Sequence, residues 1–337
     1  MLTVINDTHV GTVRSAGTTP ESQLALREHN VQALKALMPE SGDMMILGDL
    51  FDTYNVPMLD LLNAFKVLST WLQTSDGTLY LVAGNHDLSK TTSVLSSFQF
   101  LAKLLKGMFS KVVVIEDATM TPYGYVIPHL RNQDLFNHEL SKVPEVDNLF
   151  LHCNYANNFA VQSDQSLNLS REVAEKLPVK NIILAHEHHQ RVELNGKVTV
   201  IGNQIAMSVS DWLANGDKHF LQITGSTLTK QLAASRLVEF SEVQWDAPVE
   251  SSAKFIRMVG TASAEQASAV LSAINKYRAA SKALVITNGV NVTSDDSSEV
   301  FANALQNTQN LSQSFSVLNA VKELLTADEY AVVEKFL

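Results

Sequence analysis

Five short clusters of Asp, Asn and His residues are the features of this sequence most able to do chemistry. They are Asp7-Thr8-His9, Gly48-Asp49-Leu50-Phe51-Asp52, Gly84-Asn85-His86-Asp87, His152 and His186-Glu187-His188. Carboxylate, amide and imidazole groups without a thiolate suit five- or six-coordinate Mn²⁺, Fe²⁺ or Zn²⁺ better than a closed structural zinc site. The residue types therefore predict a metal centre that keeps open positions for chemistry.

Spacing within the clusters suggests how their side chains share that centre. Residues i and i+2 of an extended backbone point to the same side, so we expect Asp7 and His9 to present two ligands to one place. The same argument pairs His186 with His188. Adjacent residues diverge instead, which lets one member of the Asn-His pair at 85–86 bind metal while the other faces a substrate.

The number of candidate ligands favours two ions. The candidates are Asp7, His9, Asp49, Asn85, His152, His186 and His188. Seven ligands are too many for one ion and suit two, provided that one carboxylate bridges them. Two metals about 3.5–4 Å apart can generate hydroxide and stabilise both oxygens of an in-line displacement at phosphorus.

Short apolar runs precede the clusters and predict buried strands. The runs are Leu2–Ile5, Met44–Leu47, Leu79–Ala83, Val112–Ile115, Leu149–Leu151 and Ile182–Ala185. The helices predicted between the early runs are Glu21–Met38, Pro57–Gln73 and Thr92–Lys106. This alternation predicts an α/β fold with a parallel or mixed sheet. Ligands of such sheets gather beyond the carboxyl ends of the strands, so we expect the five clusters to converge.

The middle of the chain is richer in predicted strands. Asn195-Gly196 lies between the segments Arg191–Leu194 and Lys197–Ile201, which is typical of a hairpin, because Asn-Gly supplies the positive φ angles of a tight turn. Further strands are predicted at His219–Ile223 and Leu237–Phe240. We therefore expect two sheets packed together between helices, in a first domain spanning residues 1–243.

A second unit and a tail are expected after the composition changes near Gln244–Ser252. A strand at Phe255–Val259, a helix at Ala264–Arg278 and a strand at Ala283–Thr287 predict a small αβ domain within residues 253–306. Residues 313–337 predict two amphipathic helices. Those helices can either fold back on the second domain or bind a partner.

The ordered set of five clusters resembles the calcineurin-like metallophosphoesterases. The chain is most similar to the SbcD-type nuclease subunits of DNA repair and recombination, and to their compact bacterial-virus forms. Asp-Leu-Phe-Asp after Gly48, Ile127-Pro128 and the segment from Ile201-Gly202-Asn203 to Ser208-Val209-Ser210 carry that likeness. The resemblance implies a two-sheet αββα sandwich, a small αβ capping domain that binds DNA, and C-terminal helices that bind an SbcC-type ATPase. It also implies a homodimer formed by helices near the site, for which Pro57–Gln73 and Thr92–Lys106 are the candidates.

The same resemblance assigns roles to the clustered residues. It implies that the first metal is held by Asp7, His9, Asp49 and His188, and the second by Asp49, Asn85, His152 and His186. The ions are expected to be Mn²⁺, with Mg²⁺, Fe²⁺ or Zn²⁺ as alternatives. His86 would protonate the leaving oxygen after hydroxide attacks phosphorus, and Asp87 would orient His86. Asp52 would not touch a metal itself but would hold one of the ligands in position.

The implied function is a two-metal DNA phosphodiesterase, an exonuclease or endonuclease subunit of an SbcCD-like complex. Charge bears on that expectation, because 25 Lys and Arg against 35 Asp and Glu give −10. A broad basic surface for DNA is therefore excluded, and a partner is expected to contribute DNA binding. The alternatives are a metallophosphatase for small substrates or proteins, and a catalytically weak scaffold that binds an ATPase.

The remaining candidates are expected to be structural. His129, after Pro128, either lines a substrate groove or is structural, and we favour the second. Cys153 is expected to be a buried apolar residue, since a lone cysteine forms no internal disulfide. Neither a signal peptide nor an apolar stretch of about 20 residues is evident, which predicts a cytoplasmic protein, in the host cytoplasm if viral, without a membrane partner.

Overall fold

A computed structural model describes residues 1–17, 19–89, 91, 94–157, 167–215, 217–233 and 239–293 of the chain. In chain order its strands are β1 (Leu2–Ile5), β2 (Asp43–Leu47), β3 (Leu79–Val82), β4 (Val112–Ile115), β5 (Thr119–Thr121), β6 (Gly124–Ile127), β7 (Val146–His152), β8 (Asn154–Tyr155), β9 (Asn168–Leu169), β10 (Val179–Ala185), β11 (Arg191–Glu193), β12 (Val198–Val200), β13 (His219–Thr224), β14 (Thr227–Leu232), β15 (Phe240–Gln244), β16 (Phe255–Ser263) and β17 (Val285–Thr293). The helices are α1 (Pro20–Ala36), α2 (Met58–Thr74), α3 (Ser97–Met108), α4 (Gln133–Leu140), α5 (Arg171–Lys176), α6 (Val209–Asn215) and α7 (Ala267–Ala280).

Two six-stranded mixed sheets form the body of the protein. The first has the order β14-β13-β1-β2-β3-β4, in which β1 to β4 are parallel and β13 and β14 are antiparallel additions. The second has the order β11-β12-β10-β7-β6-β5, with parallel central strands and antiparallel edges. All six predicted apolar runs are strands of these sheets. The prediction of a mixed α/β fold is confirmed.

The apolar runs are continuous because each strand buries both of its faces. Along β1, Leu2 and Val4 pack between the two sheets, whereas Ile5 packs against the helices α1 to α3. In β7, Phe150 lies between the sheets and Leu151 lies on the outer side, under α4 and α5. The layers are therefore helix, sheet, sheet and helix, which confirms the predicted αββα sandwich. Cys153 is buried in the outer cluster of the second sheet, as predicted.

A third sheet of three parallel strands, β15-β16-β17, carries α7. Its first strand begins at Phe240, which pairs with Phe255 and is buried with it against the core of the first sheet. The first two residues of the strand predicted at Leu237–Phe240 lie outside the described residues, and its last residue begins β15, which belongs to this third sheet and not to the first domain. The predicted division at residue 243 therefore falls inside a strand, because pairing with β16 outweighs nearness in sequence.

Local signals account for several element ends. Helix α3 begins at Ser97, because Ser96 and Gln99 form a reciprocal capping box at distances of 3.1 and 3.2 Å. The predicted start at Thr92 lies outside the described residues. Strands β11 and β12 form the predicted hairpin, and positive φ angles extend from Leu194 through Gly196.

Two further expectations concern the rest of the chain. The predicted tail at 313–337 and the end of the predicted second domain, after Thr293, lie outside the described residues. Within the described ranges, no helix has the length and apolar character needed to cross a membrane.

Candidate metal centre

The five clusters meet beyond the carboxyl ends of β1, β2, β3, β7 and β10. Backbone hydrogen bonds continue past the strands, from Asp7 N to Gly48 O at 3.1 Å and from His9 N to Asp49 O at 3.0 Å. The convergence expected from the parallel strands is therefore present. It brings together side chains as distant in sequence as Asp7 and His188.

The backbone at the centre is strained. Among the described residues, eight non-glycine residues have positive φ, and four of these are candidate ligands: Asp7, His9, Asp49 and His186. Such conformations cost about 1–3 kcal/mol each and persist where the surrounding structure enforces them, often at functional sites. They also correct the spacing argument, since these residues are not extended. Asp7 and His9 still meet, but His186 and His188 turn to different groups of ligands.

The first group comprises Asp7, His9 and His188, whose ligand atoms all lie within 4.8 Å of one another. Oδ1 of Asp7 is 3.9 Å from Nε2 of His9, and the rings of His9 and His188 are 5.3 Å apart. The other carboxylate oxygen of Asp7 accepts hydrogen bonds from the side chain of Asn6 and from the backbone N–H of His186. One oxygen is thus anchored while the second faces His9.

The second group comprises Asp49, His152 and His186, with Asn85 between the two histidines. Oδ1 of Asn85 lies 3.0 Å from Nε2 of His152 and 2.9 Å from Nδ1 of His186. Nδ1 of His152 lies 3.0 Å from the carbonyl oxygen of Leu47, so this nitrogen donates and Nε2 is directed into the group.

Asp49 connects the two groups. Its Oδ2 lies 3.9 Å from Nε2 of His9 and 3.4 Å from Nε2 of His152. Although burial opposes its charge, the imidazoles of His152, His9 and His86 hold the pKa of Asp49 well below its usual range. This charged carboxylate therefore lies within 4 Å of a histidine of each group.

Two glycines make this packing possible. A Cβ atom at Gly48 would lie 2.1 Å from Nδ1 of His152, and the φ of Gly48 is +86°. A Cβ atom at Gly84 would lie 2.1 Å from Oδ1 and 2.3 Å from the backbone nitrogen of Asp49. The Gly-Asp and Gly-Asn-His-Asp clusters therefore need glycine so that the bridging carboxylate and its histidine can approach the backbone.

His86 diverges from Asn85, as its position in the sequence predicts. Its ring lies 4.9 Å from that of His9, and its Nδ1 is 2.6 Å from the carbonyl oxygen of Asp52. Its backbone N–H donates to Oδ1 of Asp49 at 2.9 Å. The groups of possible ligands include one made of His9, Asp49 and His86, so His86 borders the centre on the side of His9.

The prediction that Asp87 orients His86 is wrong, because the Asp87 carboxylate binds backbone N–H groups instead. The buried carboxylate of Asp87 accepts hydrogen bonds from the backbone N–H groups of Leu50, Phe51 and Gly84, at 3.0 to 3.3 Å. It ties the loop after β2 to the loop after β3, and the carbonyl of Asp52 orients His86 instead. Burial and the charge of Asp49 raise the pKa of Asp87 to about 7. The error arose because a carboxylate next to a histidine in sequence points away from it, by the same rule that separates Asn85 from His86.

Asp52 lies on the Nδ1 side of His9. Its Oδ1 lies 3.4 Å from Nδ1 of His9 and 3.0 Å from Nη2 of Arg14. The side chain of Asp52 thus contacts one histidine, and its carbonyl oxygen contacts His86. This residue holds two imidazoles in place at once.

Three contacts at the centre were missed by sequence reasoning. Gln204 accepts from the backbone N–H of Asn6 at 2.7 Å and donates to its side chain at 3.1 Å. Asp211 lies behind His188, with Oδ2 3.8 Å from Nδ1. His129 lies beside His152 at a ring distance of 6.3 Å, so the structural reading of His129 leaves out its position at the edge of the centre. The signal for Gln204 was the segment from Ile201 to Ser210, and the signal for His129 was the Pro-His pair at 128–129. Asp211 lies just past that segment.

The histidines differ in how readily they carry a proton. Burial opposes the charge of His152, but the carboxylates of Asp49 and Asp7 outweigh it and raise the pKa of His152 to about 9. Burial dominates for His188 and lowers its pKa to about 4, and it lowers that of His129 to about 3. A ligand must shed its proton to bind a metal, so these differences affect cation binding.

The residues fit divalent cations. Oδ1 of Asp7 and Nε2 of His9 are buried and have no hydrogen-bond partner among the residues that the structure describes, although they face each other at 3.9 Å. Buried polar atoms are nearly always satisfied, so two such atoms of ligand type indicate a missing partner that accepts lone pairs. A cation is such a partner, and oxygen with imidazole nitrogen suits Mn²⁺, Fe²⁺ or Zn²⁺.

The fold and the centre together define a metal-dependent hydrolase built on two packed sheets. The family model of the calcineurin-like phosphoesterases matches residues 1–190, more than half of the chain. The chain therefore belongs to the calcineurin-like phosphoesterase family and is a metal-dependent phosphoesterase.

Comparison with other proteins adds little beyond the family. No curated protein sequence matches the chain. Matches among solved structures include the crystal structure of TT1561 of Thermus thermophilus, which is 13% identical with a TM-score of 0.40. The alignment covers 69% of this chain and 98% of that chain.

Proposed function

We propose that the protein is a two-metal DNA phosphodiesterase, the nuclease subunit of an SbcCD-like recombination and repair complex. The observation that carries the metal-dependent part is the pair of ligand groups joined by Asp49. Two divalent cations, Mn²⁺ in this proposal, would supply Lewis acidity at the phosphate and a nucleophile at neutral pH. The choice of DNA rests on the SbcD-like motifs around the sandwich.

The chain's own residues would divide the work at the centre. Asp7, His9, Asp49 and His188 would hold one cation, and Asp49, Asn85, His152 and His186 the other. His86, fixed by the carbonyl of Asp52, would stand beside the cation held by His9 and pass a proton to the leaving oxygen. Asp87 would keep the loops of Asp49 and His86 in register through its three backbone hydrogen bonds.

The activity is tested with three substrates and added Mn²⁺: linear duplex DNA, a chromogenic phosphodiester and a chromogenic phosphomonoester. We expect release of nucleotides from DNA and hydrolysis of the diester. The Asp49→Ala variant is expected to lose both activities. His138→Ala, which removes an exposed histidine of α4, serves as the matched control and should keep them. Hydrolysis of the monoester alone would instead identify a phosphatase, and a folded protein that hydrolyses none of the three would identify a scaffold.

A homodimer is the second part of the proposal. Helices α2 and α3 expose large apolar side chains, namely Met58, Leu59, Leu62, Phe100, Leu104 and Met108. Contiguous exposed apolar surface marks interaction sites. Light scattering should give a dimer for the wild type and a monomer for Leu62→Glu, whereas Leu135→Glu on α4 should remain a dimer. A monomeric wild type would contradict this part.

The third part concerns the ATPase, for which residues 313–337 are the proposed binding segment. Removing them should abolish association with an SbcC-type ATPase and leave Mn²⁺-dependent hydrolysis of a small phosphodiester. Undiminished association would refute the assignment, and a large fall in the melting temperature would show that the segment belongs to the core. In this role the protein would act in the cytoplasm.

A further inference from the structure

The carboxylate of Asp211 lies behind the candidate ligand His188. The spacing of the two residues in the sequence does not predict this contact. Asp211 is in the first turn of α6, and its Oδ2 is 3.8 Å from Nδ1 of His188. His188 belongs to the group with Asp7 and His9. The Asp211 side chain is 8% exposed and that of His188 is 24% exposed, so water screens this contact only in part.

Donors from the described part of the chain hold both oxygens of this carboxylate. Oδ2 accepts from the side chain of Asn203 at 2.7 Å and from the backbone N–H of Met207 at 2.9 Å. Oδ1 accepts from Nζ of Lys218 at 2.8 Å, and Lys218 is itself buried. Charge-assisted hydrogen bonds of this length are strong and directional. Asp211 therefore has a fixed position.

The helix that carries Asp211 is fixed as well. Val209 is buried in the core beside Phe240 and Phe255 of the third sheet, and Trp212 packs against the same core. The backbone N–H of Val209 also lies 3.4 Å from Oγ of Ser15, in the loop that follows His9. Movement of the carboxylate would require movement of this packed helix, so Asp211 can set the orientation of the imidazole next to it.

The histidines of the two ligand groups are supported differently. Nδ1 of His152 faces a neutral carbonyl, that of Leu47, whereas Nδ1 of His188 faces a carboxylate. A carboxylate that accepts a hydrogen bond from a ligating histidine fixes its ring and raises its basicity, and losing it costs about 10–100-fold in metal affinity. At 3.8 Å Asp211 acts on His188 through its charge rather than through a hydrogen bond, so we expect the lower end of that range. The two groups are therefore expected to respond differently to a change behind the ligand.

We propose that Asp211 is a positioning residue that orients His188 and strengthens cation binding at the group of Asp7, His9 and His188 alone. This inference rests on the proposed two-metal function. The rival explanation is that Asp211 and Lys218 form a buried ion pair that only ties α6 to the residue before β13. Such a pair would affect folding and leave both cation affinities unchanged.

Asp43 offers a matched control for that rival. At the opposite end of the first sheet, it accepts from the backbone N–H of Thr78 at 2.7 Å and from the hydroxyl of Tyr123 at 2.8 Å. It thus ties chain segments together as Asp211 does, without a histidine of the centre nearby. Asp43→Asn should lower the melting temperature and leave both cation affinities unchanged.

The test is calorimetric titration of Mn²⁺ into the metal-stripped full chain. The wild type should bind two equivalents, and Asp211→Asn should bind one of them about tenfold or more weakly, with the other within twofold of wild type. If Asp211→Asn does not fold, Asp211→Glu moves the carboxylate by one methylene and should weaken the same single equivalent.

Three results would overturn the inference, and each has a different meaning. If the wild type binds two equivalents and the folded Asp211 variant binds both with wild-type affinity, Asp211 is only structural and the proposed function survives. If the wild type itself binds no Mn²⁺, the proposed function fails together with the inference. Weakening of the same equivalent by Asp43→Asn would also overturn it, because the effect would not depend on contact with His188.

Discussion

Cation binding should release a proton from His152. In the metal-free protein the charges of Asp49 and Asp7 outweigh burial and raise the pKa of His152 to about 9, so the imidazole is protonated at pH 7. Nε2 must lose that proton to become a ligand. Two pH units separate the pKa from pH 7, so the apparent affinity at the group of His152 should be about 100-fold lower at pH 7 than well above pH 9, or about 2.7 kcal/mol.

The raised pKa of His152 also makes the stability of the metal-free fold depend on pH. The pKa of His152 in the folded protein lies above its value in the unfolded chain, near 6.5. The charged pair with Asp49 therefore stabilises the metal-free protein below about pH 6.5, and this contribution falls as the pH rises through 9. Added Mn²⁺ should remove the dependence, because the cation replaces the proton.

Titration calorimetry in two buffers with different ionisation enthalpies measures the released protons. At pH 7 we expect at least one proton per protein, and an affinity that rises about tenfold between pH 7 and pH 8. His152→Asn supplies an amide oxygen without a titratable proton, so it should bind Mn²⁺ more weakly and release about one proton fewer. Wild-type binding that releases no protons and has the same affinity at both pH values would refute this reasoning.

Three substitutions test other parts of the centre. Asp49→Ala should abolish activity and weaken the binding of both Mn²⁺ equivalents. The loss should exceed the roughly 100-fold cost of removing a residue that only supports a ligand. Loss of only one equivalent in calorimetry would contradict the bridging role. His86→Ala should lower kcat by about 10²–10⁴-fold with metal content near wild type; a parallel loss of metal would make His86 a ligand. Gly84→Ala should lower the free energy of unfolding by about 1–3 kcal/mol and weaken Mn²⁺ binding, because the new Cβ would lie 2.1 Å from Oδ1 of Asp49. Wild-type stability together with wild-type binding would show that the loop moves to accept the methyl group without cost.

Much of the fold was accessible from the sequence because its signals are local. Buried parallel strands are short apolar runs, and Leu2–Ile5 matches β1 residue for residue. The capping box at Ser96 is also a local signal, and it identifies Ser97 as the start of α3, which the apolar spacing alone did not identify. The assignment of β15 failed because its partner lies after a loop and is chosen by packing between Phe240 and Phe255.

The centre was predictable in its composition and less so in its geometry. Residue types and strand ends predicted that the clusters converge, and the family resemblance implied the grouping of Asp7, His9 and His188 that the structure shows. The direction of a side chain in a left-handed loop, such as that of His186, follows from backbone angles that alternation does not describe. Supporting residues are harder still, since Asp211 touches His188 through a helix whose position depends on the third sheet.

The central claim is that two cations share Asp49, and anomalous diffraction from a crystal soaked in Mn²⁺ tests it most directly. We expect two anomalous peaks about 3.5–4 Å apart, one among Asp7, His9 and His188 and the other among Asn85, His152 and His186. The carboxylate of Asp49 should lie between them. A single peak, or two peaks of which only one contacts Asp49, would contradict the two-metal centre.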